Sequence, residues 1–209
     1  KIIVLLSPSI KDNFKKKIFD INKLKKQKKI VKGEHINQCT SNTYLNDIDL
    51  EDFSDHDIVR KKINRLINSY YQFMGYQEFA NLIEKIEEDS IKGYAKKYHD
   101  NQKKNALKKY FSDRVIIIDE AHRIRISDDT QKKIAPPVIA RIIKDADNIK
   151  LILLTATPMY NSPREIVWLV NLLLHNDNRP EINESDIFKS DGQFTTNGLE
   201  ILKKKATGY

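Results

Sequence analysis

Cysteine is almost absent from the 209-residue chain: Cys39 stands alone, which excludes an internal disulfide and fits a reducing compartment. Long apolar runs are missing too, none approaching the roughly 20 residues of a bilayer span, so no membrane partner is expected. The opening Lys1-Ile-Ile-Val-Leu-Leu6 is too short and wrongly flanked for a signal peptide. Because it begins with lysine, the chain is read as starting inside a longer protein. Glycine and proline number six each, and no stretch rich in Pro, Gly or Ser marks a linker to a second domain. There are no internal repeats. No glycine opens the string G-x-x-x-x-G-K-[ST], the loop whose amides and lysine hold phosphates. His35, His56, His99 and His175 lack metal-ligand spacing with one another or with Cys39, and read as surface or packing residues.

What is present is lysine, with a net charge of +8 and a pI near 9.3. Such a balance favours a polyanionic partner, nucleic acid ahead of an acidic membrane, although a solvated lysine-rich surface gives the same number. Lys11–Lys32 holds ten lysines against two aspartates, and Asp47–Asp57 follows with six acids in eleven residues. The acidic run reads as a solvated face. The lysines of 11–32 and 92–109 are divided evenly between solvation and a nucleic-acid groove, since backbone binding asks only for positive charge.

The chain is long enough for one sizeable core. Ile2–Leu6, Val115–Ile118 and Leu151–Leu154 are short, non-alternating apolar runs ending in small or polar residues, the pattern of strands buried on both faces of a parallel sheet. A further strand is placed at Tyr71–Met74. Val59, Ile63, Leu66, Ile67 and Tyr70 mark one amphipathic helix face, and Phe79, Leu82, Ile83 and Ile86 another. Arg164–Leu174 reads as a helix with Pro163 at its first position. Gly93–Lys109 reads as a helical excursion, and residues 45–110 as a helical insertion. Strands alternating with helices predict an α/β layered domain.

Chemistry concentrates at two strand ends. In open α/β sheets ligands lie beyond the carboxyl ends of the strands. Val115-Ile-Ile-Ile-Asp119-Glu120-Ala121-His122 therefore puts two adjacent carboxylates where a nucleotide's metal would lie. Asp119 could hold Mg²⁺, directly or through water, as the Walker-B aspartate does. Glu120 could orient or deprotonate the attacking water. A bare Asp-Glu pair is most often a polar turn, but here Ala-His is attached and a second motif follows. That motif, Leu151-Ile-Leu-Leu-Thr155-Ala156-Thr157-Pro158, places two hydroxyls at another strand end, where they could bond His122 or Glu120 and report whether phosphate is present. Alone it would be an ordinary turn or cap.

Asp-Glu-Ala-His followed by Thr-Ala-Thr resembles motifs II and III of superfamily 2 helicases. The string from Leu153 through Pro158, Asn161, Glu165 and Trp168 to Asn171 resembles the Swi/Snf-type branch, which translocates on duplex DNA. It resembles more closely the DEAH-type ATPases of nucleocytoplasmic large DNA viruses, a group that includes the poxvirus early transcription factor and nucleoside triphosphate phosphohydrolase. Asp186-Ile-Phe188, Gly192–Leu202 and Lys205–Tyr209 resemble that family's segment after motif III. Ile3-Val-Leu-Leu-Ser7-Pro8-Ser9 looks like motif Ia, and Met74-Gly-Tyr76-Gln-Glu-Phe79 like the tyrosine-containing segment of the branch. Taken as residues alone, Ser-Pro-Ser is more often a turn, and Tyr76, Phe79 and Trp168 are more often core.

The resemblance implies an incomplete first motor domain with a RecA-like sheet, binding ATP and Mg²⁺. Asp119 and Glu120 would be catalytic, Asp119 would hold the metal, and His122 would join them at the nucleotide. Thr155, Ala156 and Thr157 would couple hydrolysis to nucleic acid, and Ser7, Pro8 and Ser9 would touch its backbone. The family's P-loop precedes motif Ia, and a second RecA-like domain supplies an arginine finger. Implied partners are duplex DNA and a viral RNA polymerase or second transcription-factor subunit, in the virion or host cytoplasm. The rival expectation is a non-catalytic RecA-like module that binds nucleic acid or a polymerase. Arg123 and Arg125 read either toward phosphate or DNA or, at least as well, toward salt bridges to Asp128 or Asp129.

Overall fold

The computed structural model describes residues 1–20, 22–23, 39–40, 43–46, 56–124, 136–159 and 162–209. Four strands form one all-parallel sheet: β1 (Ile2–Leu5), β2 (Tyr71–Met74), β3 (Val115–Asp119) and β4 (Lys150–Leu154). Their order is β2-β1-β3-β4 among the described residues. The three apolar runs and the tyrosine-led segment are all strands, as their β-branched and aromatic content predicts. Within the 45–110 range read as a helical insertion, Tyr71–Met74 is a strand of this sheet. Tyr71–Met74 pairs in register with Ile2–Leu5 and is an edge of the sheet among the described residues, with Phe73 and Met74 burying side chains on its two faces.

The helices divide between those two faces. On one lie α1 (Lys11–Ile18) and α2 (His56–Tyr70), where Ile18, Val59, Ile63 and Ile67 pack on Val4, Leu6 and Phe73. On the other lie α3 (Tyr76–Ile91), α4 (His99–Phe111), α5 (Pro136–Asp145) and α6 (Glu165–Asn176). Their apolar residues, Phe79, Ile83, Leu107, Phe111, Ile139, Ile142, Leu169 and Leu172 among them, cover Ile3, Leu5, Ile116, Ile118 and Leu151. The predicted faces of α2 and α3 are the buried ones, except that Tyr70 is half-exposed. Trp168 packs against this larger core. The helix predicted over Arg164–Leu174 runs instead from Glu165 to Asn176. Arg164 is its cap and Pro163 sits one residue earlier, accepting the Ile166 amide.

A smaller cluster of Val167, Val170, Leu174, Ile182, Ile187 and Phe188 joins α6 to α7 (Glu184–Ile187) and α8 (Gly198–Ala206). Arg164 ties this segment down by an ion pair to Glu184 at 2.5 Å and bonds to the carbonyls of Lys189 and Ser190.

Three lysines of α4 are engaged within the fold. Lys103 pairs with Glu87, Lys104 with Asp145 and Lys108 with Asp147, at 3.7, 3.1 and 2.9 Å. These half-exposed pairs add little stability each, but they turn that charge toward α3 and the α5 end and away from a free groove. The acidic run, except Asp57, and half of the lysines of the 11–32 run, Lys25 to Lys32, lie outside the described residues. So do His35, Arg125, Asp128, Asp129 and Asn161.

Phe111 is fully buried and meets Phe79 edge-on, with centroids 5.6 Å apart. Phe111→Ala should cost about 3–5 kcal/mol of stability through lost transfer energy and the cavity left behind. Urea unfolding checks this; a loss below about 1 kcal/mol would mean that this helix does not hold the core as described.

Candidate functional site

Chain direction reverses at the β1–β3 junction. From β1 the chain passes through α1 and α2 to β2 on one side, whereas β3 leads through α5 to β4 on the other. In open parallel sheets this reversal opens a crevice at the carboxyl ends, where ligands bind. The residues emerging there are Ser7–Ser9 from β1 and Asp119–Glu120 from β3, since Leu5 pairs with Ile118 in register. Thr155–Thr157 leave the neighbouring β4, where Leu154 pairs with Asp119. The fold thus brings the candidates to one end of the sheet.

Asp119 ends β3, and Glu120 then takes a left-handed backbone with φ +53°. For a non-glycine residue that conformation costs about 1–2 kcal/mol, so neighbouring contacts must hold it. A single 3-10 turn, Ala121–Ile124, follows, and the Arg123 amide bonds the Glu120 carbonyl at 2.8 Å. Ala121 and Ile124 are buried and anchor the turn in the core. The Tyr76 hydroxyl, at the start of α3, donates to the Asp119 carbonyl and lies 3.5 Å from that of Glu120. Burial, then the charge of Asp119, pushes the Tyr76 phenol far above its usual range, so it remains a donor.

His122 knits the two motifs together. Its Nδ1 lies 3.1 Å from Thr155 Oγ1, 3.4 Å from Thr157 Oγ1 and 3.3 Å from Glu120 Oε2. The Thr157 amide in turn bonds Thr155 Oγ1 at 3.2 Å, which fixes the tight turn across Ala156. Hydroxyls can donate or accept, whereas a carboxylate only accepts. A protonated Nδ1 can therefore serve Glu120 or either threonine, and an unprotonated one only the threonines. The His122 ring is mostly covered, while the Glu120 side chain is 42% exposed at the end of the strand.

Burial, and then the adjacent Glu120 charge, hold the Asp119 carboxyl above the usual carboxylate range; the Glu120 amide and Arg123 pull it partly back. Among the described residues no three His, Cys, Asp or Glu side chains form a cage for a metal ion. One or two carboxylates at a strand end fit Mg²⁺ shared with phosphate oxygens and water, which is how that ion is usually held. Ser7 and Ser9 bond each other through their hydroxyls at 3.0 Å, and Pro8 opens an exposed 3-10 turn. A cleft of about 330 Å³ is lined by Ala121, His122, Pro158, Arg164 and Trp168 but by neither carboxylate, so it lies beside the carboxylate pair.

Sequence reasoning underrated Tyr76, which the motif order had singled out but which reads as core. Its hydroxyl contact spans 43 positions, and only the sheet brings the two ends together.

The model of the SNF2-related domain matches residues 11–196, most of the chain. The chain belongs to the SNF2-related domain family. This SNF2-related domain is 29% identical over 137 residues to "Putative helicase 009L" of Frog virus 3 (isolate Goorha), covering 63% of the chain and 13% of that protein. It is 27% identical over 196 residues to "Putative ATP-dependent RNA helicase L377" of Acanthamoeba polyphaga mimivirus, covering 82% and 16%. With "Putative helicase 087L" of Invertebrate iridescent virus 3 it shares 28% over 159 residues, covering 76% and 14%. The chain thus spans about one-seventh of the length of these three relatives. No solved structure matches it significantly. Family and viral relatives together make it a superfamily 2 member with a RecA-like sheet. Among the described residues no helix is long and apolar enough to cross a membrane.

Proposed function

We propose that this SNF2-related domain is part of an ATP-dependent DNA translocase or helicase of the viral DEAH type, serving transcription in a large DNA virus. Residues 1–209 are then the portion of a first motor domain from motif Ia to beyond motif III. The observation that carries the reading is His122 Nδ1 lying within 3.4 Å of Glu120, Thr155 and Thr157. That arrangement can trade the histidine between the carboxylate and the hydroxyls as phosphate comes and goes. Asp119 would hold Mg²⁺, which when bound neutralises charge on the phosphates. Glu120 would take the proton of the attacking water, and Ser7, Pro8 and Ser9 would meet the nucleic-acid backbone.

The bare side of β4 fits the same reading. Ile152 and Leu154 are 44% and 39% exposed on a strand that, among the described residues, has only one neighbour. Exposed apolar edges are normally paired or covered, and a strand and helix carrying the phosphate loop would do both.

The test is ATP hydrolysis by the full-length protein with duplex DNA, single-stranded DNA or RNA added. Stimulation mainly by duplex DNA is expected. Stimulation by RNA instead would favour the activity named for the mimivirus relative, and no hydrolysis at all would favour a non-catalytic binding module. Within that assay, Thr155→Ala combined with Thr157→Ala should lower nucleic-acid stimulation more than the basal rate. An equal fall in both would assign the threonines to folding or nucleotide binding.

A further inference from the structure

Tyr76 stands at the first turn of α3, directly after β2, with its ring partly buried against the larger core. Its position is set from both sides. Gly75 caps α3 and lies close against Pro8, where an added Cβ would already be in van der Waals contact at 3.6 Å. Glu78 reaches back to the Gly75 amide at 3.4 Å, and the Phe79 amide bonds the Gly75 carbonyl at 3.0 Å. The first turn of α3 is thereby held, and Phe79, one turn on, is almost wholly buried.

From that platform the hydroxyl reaches across β1 to the end of β3. Pairing between β1 and β3 stops at Leu5 and Ile118, so Asp119 is the first residue beyond that ladder. The Tyr76 hydroxyl donates to its carbonyl and stands within 3.5 Å of the Glu120 carbonyl. These two carbonyls bracket the left-handed residue, Glu120. A strained backbone persists only where its surroundings over-determine it. Here those surroundings are the buried Ala121 below the turn, the Arg123 amide and the Tyr76 hydroxyl.

We infer that Tyr76 is a positioning residue for hydrolysis: its hydroxyl holds the Asp119 carbonyl, beside that of Glu120, and so fixes the direction in which the Glu120 carboxylate leaves the strand. The inference rests on the ATPase reading above and adds to it a residue outside both motifs. Tyr76 touches neither nucleotide nor water in this role. It acts through the backbone of the residue that does.

Tyr76→Phe in the full-length protein keeps the ring and removes only the hydroxyl. kcat for ATP should fall by roughly 10- to 100-fold, the scale of a misplaced catalytic group. KM for ATP should stay within about twofold and the melting temperature within a few degrees, since the ring still packs. A purely packing role would move neither kcat nor KM in the phenylalanine variant. The second measurement is a cycle with Glu120→Gln, read as single-turnover hydrolysis with enzyme in excess. With Glu120 already replaced, adding Tyr76→Phe should change the residual rate by less than about twofold, because the carboxylate it aims is gone. An unchanged kcat in Tyr76→Phe overturns the inference. So does an undiminished loss in the Glu120→Gln background, and so does a kcat loss matched by loss of ATP affinity and melting temperature. If unaltered protein hydrolyses ATP and Glu120→Gln does not, a normal Tyr76→Phe removes this inference alone. If the unaltered protein hydrolyses no ATP, the function and this inference fall together.

Discussion

Glu120→Gln in the full-length protein is expected to bind ATP as before and to lose turnover by roughly 10²–10⁴-fold, the usual contribution of a positioned general base. The amide is nearly the same size and shape as the carboxylate, so the left-handed turn and the contact with His122 survive. Asp119, the residue that would hold the metal, is untouched, and nucleotide affinity should stay within a few-fold. What disappears is the acceptor for the water's proton. Nucleotide titration and kcat measured side by side separate the two effects. A kcat near that of the unaltered protein would remove Glu120 from the chemistry, and a parallel collapse of affinity would place it in binding instead.

The 209-residue chain expressed by itself is expected to show no ATPase activity above background, with or without DNA. On the proposed reading its sequence would supply the carboxylate side of an ATP site, and it contains no G-x-x-x-x-G-K-[ST] string. The amides and lysine of that loop supply most of the phosphate binding, and an opposing arginine alone is worth roughly 10³–10⁵ in kcat. A circular-dichroism spectrum with the helix content described here, taken on the same sample, would show that inactivity is not unfolding. Weak DNA binding that fades steeply with salt is expected to persist, carried by a net charge of +8. Clear DNA-stimulated hydrolysis by this chain would mean that the phosphate site lies within residues 1–209 after all.

Much of this was legible before any fold was known, and for a definable reason. A strand buried on both faces must be apolar at every position, so Ile2–Leu6, Val115–Ile118 and Leu151–Leu154 announce themselves without their partners. Tyr71–Met74 was harder, because an edge strand of four residues carries a glutamine and two aromatics. Its aromatic content still marks it as a strand, whereas the helical patterns around it read as an insertion. Spacing along the chain does not reveal that residue 71 lies beside residue 2.

The candidate site divides in the same way. Placing Asp119, Glu120, Thr155 and Thr157 at strand ends needed only the local change from apolar to polar residues. Bringing His122 Nδ1 within reach of both hydroxyls and the Glu120 carboxylate needed β3 and β4 to be neighbours in register, which they are. The lysines of α4 show the opposite case. As a string they are equally a nucleic-acid groove and a solvated face, and only packing against α3 and the end of α5 supplies the acids that engage Lys103, Lys104 and Lys108.

By itself, then, the sequence determined which residues are strands, which faces of α2 and α3 turn inward and where the carboxylates leave the sheet. Those properties depend on residues one to four positions apart, whose geometry the backbone repeat sets. Tertiary structure alone decided the strand order β2-β1-β3-β4, the left-handed turn at Glu120 and the reach of the Tyr76 hydroxyl to Asp119. Each of these depends on groups tens of residues apart meeting at a few ångströms, and such meetings are settled by how the two helical layers pack on the sheet.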